Sequence, residues 1–254
     1  MQRPVPPQVV PRPADWSPGG PAPWVDVPPA QGARIGLAQV LGALREVGQS
    51  GPAPHDFSSE AAPDPHIVVA EGAAAPLGPV NSAVLAVLYE EEGDTRIVFT
   101  RRSTALRTHR GEVSFPGGRL DQGEDPTSGA LREAHEEVGL APSLVTVVGW
   151  LHPVMTMVSA SRILPVVATV SSLPHLVPSP AEVERVFDVA LAELADPRVF
   201  HEERWRLPGR AIEGAGDDSF PVWFFEVAGE LIWGATARML HELLRIVLTG
   251  GSEE

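Results

Sequence analysis

The sequence predicts an α+β domain with α/β/α layering. Three observations indicate this class: a series of short β-rich runs, a helical pattern in the middle of that series, and a second helical pattern near the carboxyl end. Strands on both sides of a central helix, followed by another helix, pack in layers around one core. With 254 residues and a hydrophobic fraction of 43%, the chain is long and apolar enough to build such a core.

The first 79 residues are predicted to form an arm that precedes this domain. Residues 1–30 contain ten prolines, so this part is expected to be extended or disordered and to form neither helix nor ladder hydrogen bonds. Trp16 and Trp24 are predicted to attach the arm to the folded domain, and a contact with a partner subunit is the alternative. Apolar residues at helical spacing predict one short helix at 35–47, and residues 51–79 are again loop-like.

The folded domain is predicted to span residues 80–254. In chain order, the hydrophobic pattern predicts strands at 82–89, 95–102, 112–115, 144–151, 163–170, 200–207 and 220–227. It predicts helices at 126–138, 191–195 and 235–248. The first two strands are joined by residues 90–94, whose acidic side chains and glycine are typical of a hairpin connection.

The composition excludes several classes of function. The chain has no cysteine, which excludes disulfides, thiolate zinc sites and a cysteine nucleophile. Its formal net charge of −14 argues against a nucleic-acid partner, because such binding depends on a basic surface. The apolar runs are too short to span a membrane and no signal-peptide pattern begins the chain, so a soluble, cytoplasmic protein is expected.

One predicted helix carries three carboxylates on the same face. Glu133, Glu136 and Glu137 lie at i, i+3 and i+4, where like charges repel, so a helix selected for stability alone would avoid them. Arg132 can pair with Glu136 at i+4, but one cation does not neutralise three carboxylates. Hard divalent cations, which prefer oxygen ligands, would offset the remaining charge. An acidic face that is merely solvated is the alternative.

The ends of this helix and the loop before it are also defined by the sequence. Asp125 is a suitable N-cap, Pro126 suits the first helical position, and Gly139 stands where a left-handed C-cap belongs. Gly117 lets the backbone approach closely, so its carbonyl is a further candidate metal ligand. Because these features are in register with the carboxylates, they favour a metal site over a solvated face.

The residues from Gly118 to Leu140 form one continuous motif. It reads Gly118, five residues, Glu124, seven residues, Arg132-Glu133, Ala134, His135, Glu136-Glu137, Val138, Gly139 and Leu140. This motif resembles the Nudix box at every defined position. The resemblance implies a Nudix fold, which is an α/β/α sandwich with a mixed β-sheet and a central catalytic loop-helix-loop. It also implies an enzyme, a diphosphatase (pyrophosphatase) that requires Mg²⁺ or Mn²⁺.

The same resemblance implies roles for individual residues. Glu133, Glu136 and Glu137 are the implied metal ligands, and Glu133 is also a candidate for orienting or deprotonating the attacking water. Arg132 would hold Glu133 or Glu136 in position. Glu124 either completes the site or caps the loop.

The residues that lead into the box resemble the extra signature of the coenzyme A diphosphatase branch of the Nudix family. The match comprises Thr100, Arg102, Ser103, Arg107, Gly111 and the run from Phe115 to Gly118. Val98-Phe99 replaces the leading Leu-Leu pair, and Ile232–Ala237 is also similar to that branch. The implied reaction is hydrolysis of coenzyme A or its thioesters to 3′,5′-ADP and a 4′-phosphopantetheine product.

A basic cluster in this acidic chain agrees with such a substrate. Guanidinium groups suit a diphosphate and a 3′-phosphate, although arginines that simply pair with surface acids are the alternative. The candidate substrate-binding residues are Arg101, Arg102, Arg107, Arg110 and Gly118. Glu182, in a segment similar to one that follows the box in this branch, is a candidate catalytic base, and a surface acid is the alternative.

Two other functions stay open. The box contacts a diphosphate that many nucleotides share, so ADP-ribose, NADH or a nucleoside triphosphate is an alternative substrate. A non-catalytic ligand-binding protein that keeps the fold and docks through its proline-rich arm is an alternative from another class. A homodimer is a candidate assembly in each case.

Overall fold

The computed structural model describes residue 8 and residues 10–26, 34–50, 79–106, 108–156, 161–206 and 219–250. Within them, the strands are β1 (Trp16–Pro18), β2 (Ser82–Glu91), β3 (Asp94–Arg102), β4 (Val113–Ser114), β5 (Gly117–Arg119), β6 (Thr146–Trp150), β7 (Val154–Met155), β8 (Arg162–Thr169), β9 (Val183–Ala190), β10 (Phe200–Trp205), β11 (Phe220–Val227) and β12 (Glu230–Trp233). The helices are α1 (Leu37–Glu46), α2 (Pro126–Val138), α3 (Leu191–Leu194) and α4 (Gly234–Thr249), with a 3₁₀ turn at Pro142–Leu144.

A mixed sheet supports the candidate site. Its strand order is β4-β3-β2-β8-β6, with β5 also paired to β2, β7 to β8 and β9 to β3. β2 and β8 run parallel, whereas β2 is antiparallel to β3 and β5. The mixed sheet predicted from the sequence is therefore confirmed.

The central strand β2 explains the layered arrangement. Its residues 82–89 are all buried, and successive side chains point to opposite faces of the sheet. Leu85 belongs to the same buried cluster as Ala134 of α2, which covers one face. Ala86 belongs to the cluster that contains Leu240 of α4, which covers the other face. Helices on both faces confirm the α/β/α sandwich.

The proline-rich arm contributes a strand to a second sheet, whose order is β1-β10-β11-β12. β1 pairs antiparallel with β10, and the next residue, Gly19, donates its N–H to the Glu202 carbonyl at 2.7 Å. The expectation that residues 1–30 form no ladder hydrogen bonds is therefore wrong at residues 16–18. An edge strand bonds along one side only, so it tolerates the missing N–H of Pro18.

The two tryptophans of the arm have different surroundings. Trp24 is 0% exposed, and its indole N–H donates to the Ala195 carbonyl at 2.9 Å. Its ring packs edge-on against Phe200 and stacks on Phe225. Trp16 is 44% exposed on β1. Attachment of the arm to the folded domain is thus confirmed for Trp24, while the division into an arm (1–79) and a domain (80–254) stays a prediction.

The sequence locates the longer elements better than the short ones. The helix at 126–138 has the predicted ends, and the helices predicted at 35–47 and 235–248 are found within two residues of their predicted bounds. Besides β1, the strands that the sequence does not predict are β5, β7, β9 and β12. Most of these have four residues or fewer, and β9 mixes charged with apolar residues without strict alternation and pairs with β3 at long range. The loop predicted at 51–79 lies outside the described residues, except for residue 79.

None of the helices in the described part of the chain is long and apolar enough to cross a membrane.

Candidate metal and diphosphate site

Local interactions fix helix α2 at both ends. The Asp125 carboxylate accepts a hydrogen bond from the Ser128 N–H at 3.0 Å, and Pro126 occupies the first turn. At the other end Gly139 is left-handed, with φ 71°, and its N–H donates to the His135 carbonyl at 2.9 Å. Both caps predicted from the sequence are confirmed, and they define which helix positions face the loop that precedes α2.

Two glycines let that segment lie close to β2 on one side and to α2 on the other. Gly117 has φ 152°, and a Cβ there would lie 2.4 Å from the Ala83 carbonyl oxygen, so a side chain is excluded. A Cβ at Gly118 would lie 2.5 Å from a carboxylate oxygen of Glu133. The Gly117 N–H donates to Glu137 Oε2 at 3.1 Å. The loop backbone thus contacts the carboxylates directly.

The three carboxylates of the helix differ in exposure. The Glu137 side chain is 3% exposed, and one oxygen lies 3.7 Å from Arg102 Nη1. The Glu133 side chain is 17% exposed and accepts a hydrogen bond from Arg132 Nη1 at 2.8 Å. The Glu136 side chain is 58% exposed, 3.5 Å from the same nitrogen. The site therefore has two carboxylates turned inward and one open to solvent.

Arg132 is anchored from the loop side of the site. Its Nε and Nη2 donate to the two oxygens of Glu124 at 2.8 and 2.9 Å, a bidentate pair. Glu124 also accepts from the Asp121 N–H at 2.9 Å, so it caps the loop, one of the two roles predicted for it. The Arg132 hydrogen bond, followed by the Asp121 bond, lowers the pKa of Glu124 to about 2. The expected i,i+4 pair of Arg132 with Glu136 is the weaker contact, because Glu124 and Glu133 bind the guanidinium more closely.

Glu182 lies close to the box although it is remote in sequence. Its carbonyl accepts from the Ser103 N–H at 2.7 Å, and the Ser179 N–H of the same loop donates to the Glu137 carbonyl at 2.8 Å. The Glu182 charge contributes to raising the pKa values of both Glu133 and Glu137. The backbone bonds of Ser103 and Ser179 place this loop; Ser103 belongs to the signature before the box, whereas no sequence pattern marks Ser179.

Burial and neighbouring like charges disfavour the ionised form of two carboxylates in this cluster. Burial raises the pKa of Glu137 to about 7, against the opposing effects of the Gly117 N–H and Arg102. Burial also raises the pKa of Glu133, again against Arg132. Among the described residues, no three His, Asp or Glu side chains already form a metal-holding group. The carboxylates nevertheless fit Mg²⁺ or Mn²⁺ chemically, because these cations take oxygen ligands. A bound cation would also favour the ionised form of the carboxylates, which burial disfavours.

The raised pKa of Glu137 predicts a pH-dependent stability of the metal-free protein. The folded pKa of about 7 exceeds the ordinary value of 4.5, so between these pH values the folded state holds a proton that the unfolded state releases. The contribution of Glu137 to the free energy of unfolding is fully present below pH 4.5 and is lost as the pH rises to about 7. The loss is roughly 3 kcal/mol at most.

Urea unfolding in EDTA at pH 5 and pH 8 measures this difference. The Glu137→Gln variant keeps an acceptor for the Gly117 N–H but does not titrate, so it is expected to lose most of the pH dependence. An unchanged pH dependence in that variant would refute the role of Glu137.

The structure separates the arginines that the sequence groups together. Arg101 and Arg102 are neighbours on β3 and point in different directions. Arg101 is 7% exposed and pairs with Glu230 at 2.8 Å and Glu184 at 3.2 Å, away from the carboxylates of α2. Arg102 is the one that reaches Glu137. Strand alternation thus directs Arg101 to a buried ion pair, and its role in substrate binding stays a prediction.

The remaining candidates lie in the loop between β3 and β4. Arg110 is exposed, and its Nε donates to the Leu106 carbonyl within the loop. His109 pairs with Glu112 at 2.9 Å. Arg107 lies outside the described residues. This loop therefore presents Arg110 to solvent close in sequence to Arg102.

Comparisons with known proteins identify the family. The NUDIX domain family model matches residues 79–209. Nudix hydrolase 15, mitochondrial, of Arabidopsis thaliana is 39% identical over 170 residues, which cover 64% of this chain and 56% of that protein. Nudix hydrolase 3 of Caenorhabditis elegans is 35% identical over 178 residues, covering 66% of this chain and 74% of that protein. The chain belongs to the Nudix family.

Other relatives are less informative about activity. An uncharacterised Nudix hydrolase NudL of Enterobacter is 34% identical over 164 residues, covering 64% of this chain and 80% of that protein. A crystal structure of the Nudix hydrolase RenU from M. smegmatis is 24% identical, with a TM-score of 0.39, and covers 51% of this chain and 81% of that one. The chain spans 56% of the length of Nudix hydrolase 15 and 56% of the length of Nudix hydrolase 22, chloroplastic, both of Arabidopsis thaliana.

Proposed function

We propose that this protein is a metal-dependent diphosphatase that cleaves the phosphoanhydride linkage of a nucleotide. The observation that carries this proposal is the cluster of Glu133, Glu136 and Glu137 packed against the Gly117-Gly118 loop. Two of these carboxylates are turned inward and one is open to solvent, so a cation held between them would remain accessible to a diphosphate. The family to which the chain belongs supports the same activity.

The proposed ligands of Mg²⁺ or Mn²⁺ are Glu133, Glu136, Glu137 and the Gly117 carbonyl. When bound, the cation supplies neutralisation of the diphosphate charge and lowers the pKa of a water. The bidentate Glu124–Arg132 pair keeps Glu133 in place, while Arg102 offsets the charge of Glu137.

Two carboxylates are proposed as proton acceptors for the attacking water. Burial raises the pKa of Glu133, which suits a base that works near neutral pH. Glu182 is the second candidate, because its loop is bound to Ser103 and lies within electrostatic reach of Glu133.

We further propose coenzyme A or an acyl-coenzyme A as the substrate. The support is the signature before the box and the position of its arginines, since Arg102 lies beside the carboxylates and Arg110 is exposed on the adjoining loop. Gly118 would contact the diphosphate with its backbone. In this proposal the partner is a small molecule; the cytoplasmic location and the homodimer stay predictions from the sequence.

A panel of diphosphates tests both levels of the proposal. Coenzyme A, dephospho-coenzyme A, ADP-ribose, NADH and a nucleoside triphosphate are each incubated with Mg²⁺ or Mn²⁺, and the products are identified by mass. We expect 3′,5′-ADP and 4′-phosphopantetheine from coenzyme A at the highest kcat/KM. A higher kcat/KM for another nucleotide would overturn the substrate, and no cleavage of any of them would overturn the diphosphatase.

The loop between β3 and β4 (residues 103–112, the arginine loop) predicts selectivity for the 3′-phosphate. Replacing Arg107 or Arg110 by alanine is expected to lower the ratio of kcat/KM for coenzyme A to that for dephospho-coenzyme A by roughly 10-fold, the size of one charge-assisted hydrogen bond. Arg198→Ala, which removes an exposed arginine paired with Asp196 far along the chain, is the matched control. An equal loss on both substrates would contradict a contact with the 3′-phosphate.

A further inference from the structure

The arginine loop, residues 103–112, is closed at its base by Arg102. The Arg102 N–H donates to the Glu112 carbonyl at 2.9 Å, and the Gly111 N–H donates to the Arg102 carbonyl at 3.2 Å. Arg102 in turn lies 3.7 Å from the Glu137 carboxylate. Because these bonds link the two ends of the loop, a displacement of Gly111 would move the backbone that places Arg102.

A side chain of the arm contacts the loop at Gly111. The Gln8 amide Nε2 donates to the Gly111 carbonyl at 2.6 Å, and its Oε1 accepts from the Trp233 indole N–H at 3.0 Å. An indole N–H only donates, so Trp233 fixes which end of the amide faces Gly111. Nearby, Thr236 donates its hydroxyl to the Val113 carbonyl at 3.0 Å, just after the loop. The start of α4 and the arm together hold the loop.

We propose that Gln8 is a positioning residue for substrate binding, acting through Gly111 on the arginine loop. The inference rests on the proposed function, which assigns this loop to the phosphate groups of the nucleotide. Gln8 does not contact the reacting atoms in this arrangement. It restrains the loop backbone that carries Arg110, so that less conformational entropy is lost when the loop binds the substrate. The arm thereby contributes to binding although it lies outside the box in sequence.

The Gln8→Glu variant tests the hydrogen bond with little change in shape. The carboxylate can still accept from Trp233, but it cannot donate to Gly111 and places an oxygen against that carbonyl. We expect KM for the best diphosphate substrate to rise by about three- to tenfold, the effect of one hydrogen bond, with kcat changed by less than about twofold. Gln39→Glu is the matched control, because Gln39 donates to the Val247 carbonyl on α4 instead.

Hydrogen exchange provides a readout that does not depend on activity. Faster exchange of the amides in 103–112 in Gln8→Glu, with no change in Gln39→Glu, is the expected result. An unchanged KM, or a fall in kcat alone, would overturn the proposal. If the wild type cleaves no diphosphate, the proposed function fails, and the exchange rates alone then test the role of Gln8. Unchanged exchange rates in Gln8→Glu would show that Gln8 does not position the loop.

Discussion

Replacing Glu136 by glutamine is expected to reduce kcat for diphosphate hydrolysis by more than about 100-fold. Mutating a residue that hydrogen-bonds a metal ligand typically lowers metal affinity or activity by about 10- to 100-fold. Removing a proposed ligand itself should therefore exceed that range. Glutamine keeps the size of the side chain but removes the negative charge that a divalent cation requires. Since the Glu136 side chain is 58% exposed, its stability effect should stay within about 0.5 kcal/mol.

Three measurements decide this prediction. Steady-state kinetics with Mg²⁺ gives kcat, calorimetry gives the affinity for Mn²⁺, and urea unfolding gives the stability of the variant. Glu193→Gln on α3 removes another exposed helix acid, outside the box in sequence, and should behave as the wild type. Wild-type activity in Glu136→Gln would contradict the assignment of the metal site.

Replacing Trp24 by alanine is expected to destabilise the protein by about 3–5 kcal/mol, the usual cost of removing a buried tryptophan. The indole is 0% exposed, packs against Phe200 and Phe225, and donates to the Ala195 carbonyl. Alanine would leave a cavity and an unpaired carbonyl within the main core. The arm should therefore behave as part of the folded unit.

Trp16→Ala is the matched control from the same arm. Trp16 is 44% exposed, so its removal should cost less than about 1 kcal/mol in urea unfolding. Unfolding at two protein concentrations separates a contact within the chain from a contact with a partner subunit, because only the latter depends on concentration. A loss below about 1 kcal/mol for Trp24→Ala would show that the arm is a dispensable appendage.

The sequence predicts helix α2 well because its determinants are local. Asp125, Pro126 and Gly139 define the ends of α2, and helical periodicity alone places Glu133, Glu136 and Glu137 on one side. The close approach of the loop follows from two adjacent glycines, which are also visible in the sequence. These interactions span a few residues, so no knowledge of the rest of the fold is needed to infer them.

Long-range pairing decides what the sequence leaves open. Arg101 and Arg102 are adjacent residues of the same type, so the sequence does not distinguish them. Pairing of β3 with its neighbours directs Arg101 to Glu230 and Arg102 to Glu137. Glu182 lies near the box because its loop is bonded to both Ser103 and Glu137. Neither outcome follows from spacing.

By itself, the sequence determined the Nudix box, the helix that carries it and the alternation of strands around it, since each depends on near neighbours or on a periodic pattern. Only the tertiary structure decided that the proline-rich arm enters a sheet, buries Trp24 and brings Gln8 to Gly111. These contacts join residues separated by 100 or more positions. Their partners are selected by packing of the whole chain, which no local pattern encodes.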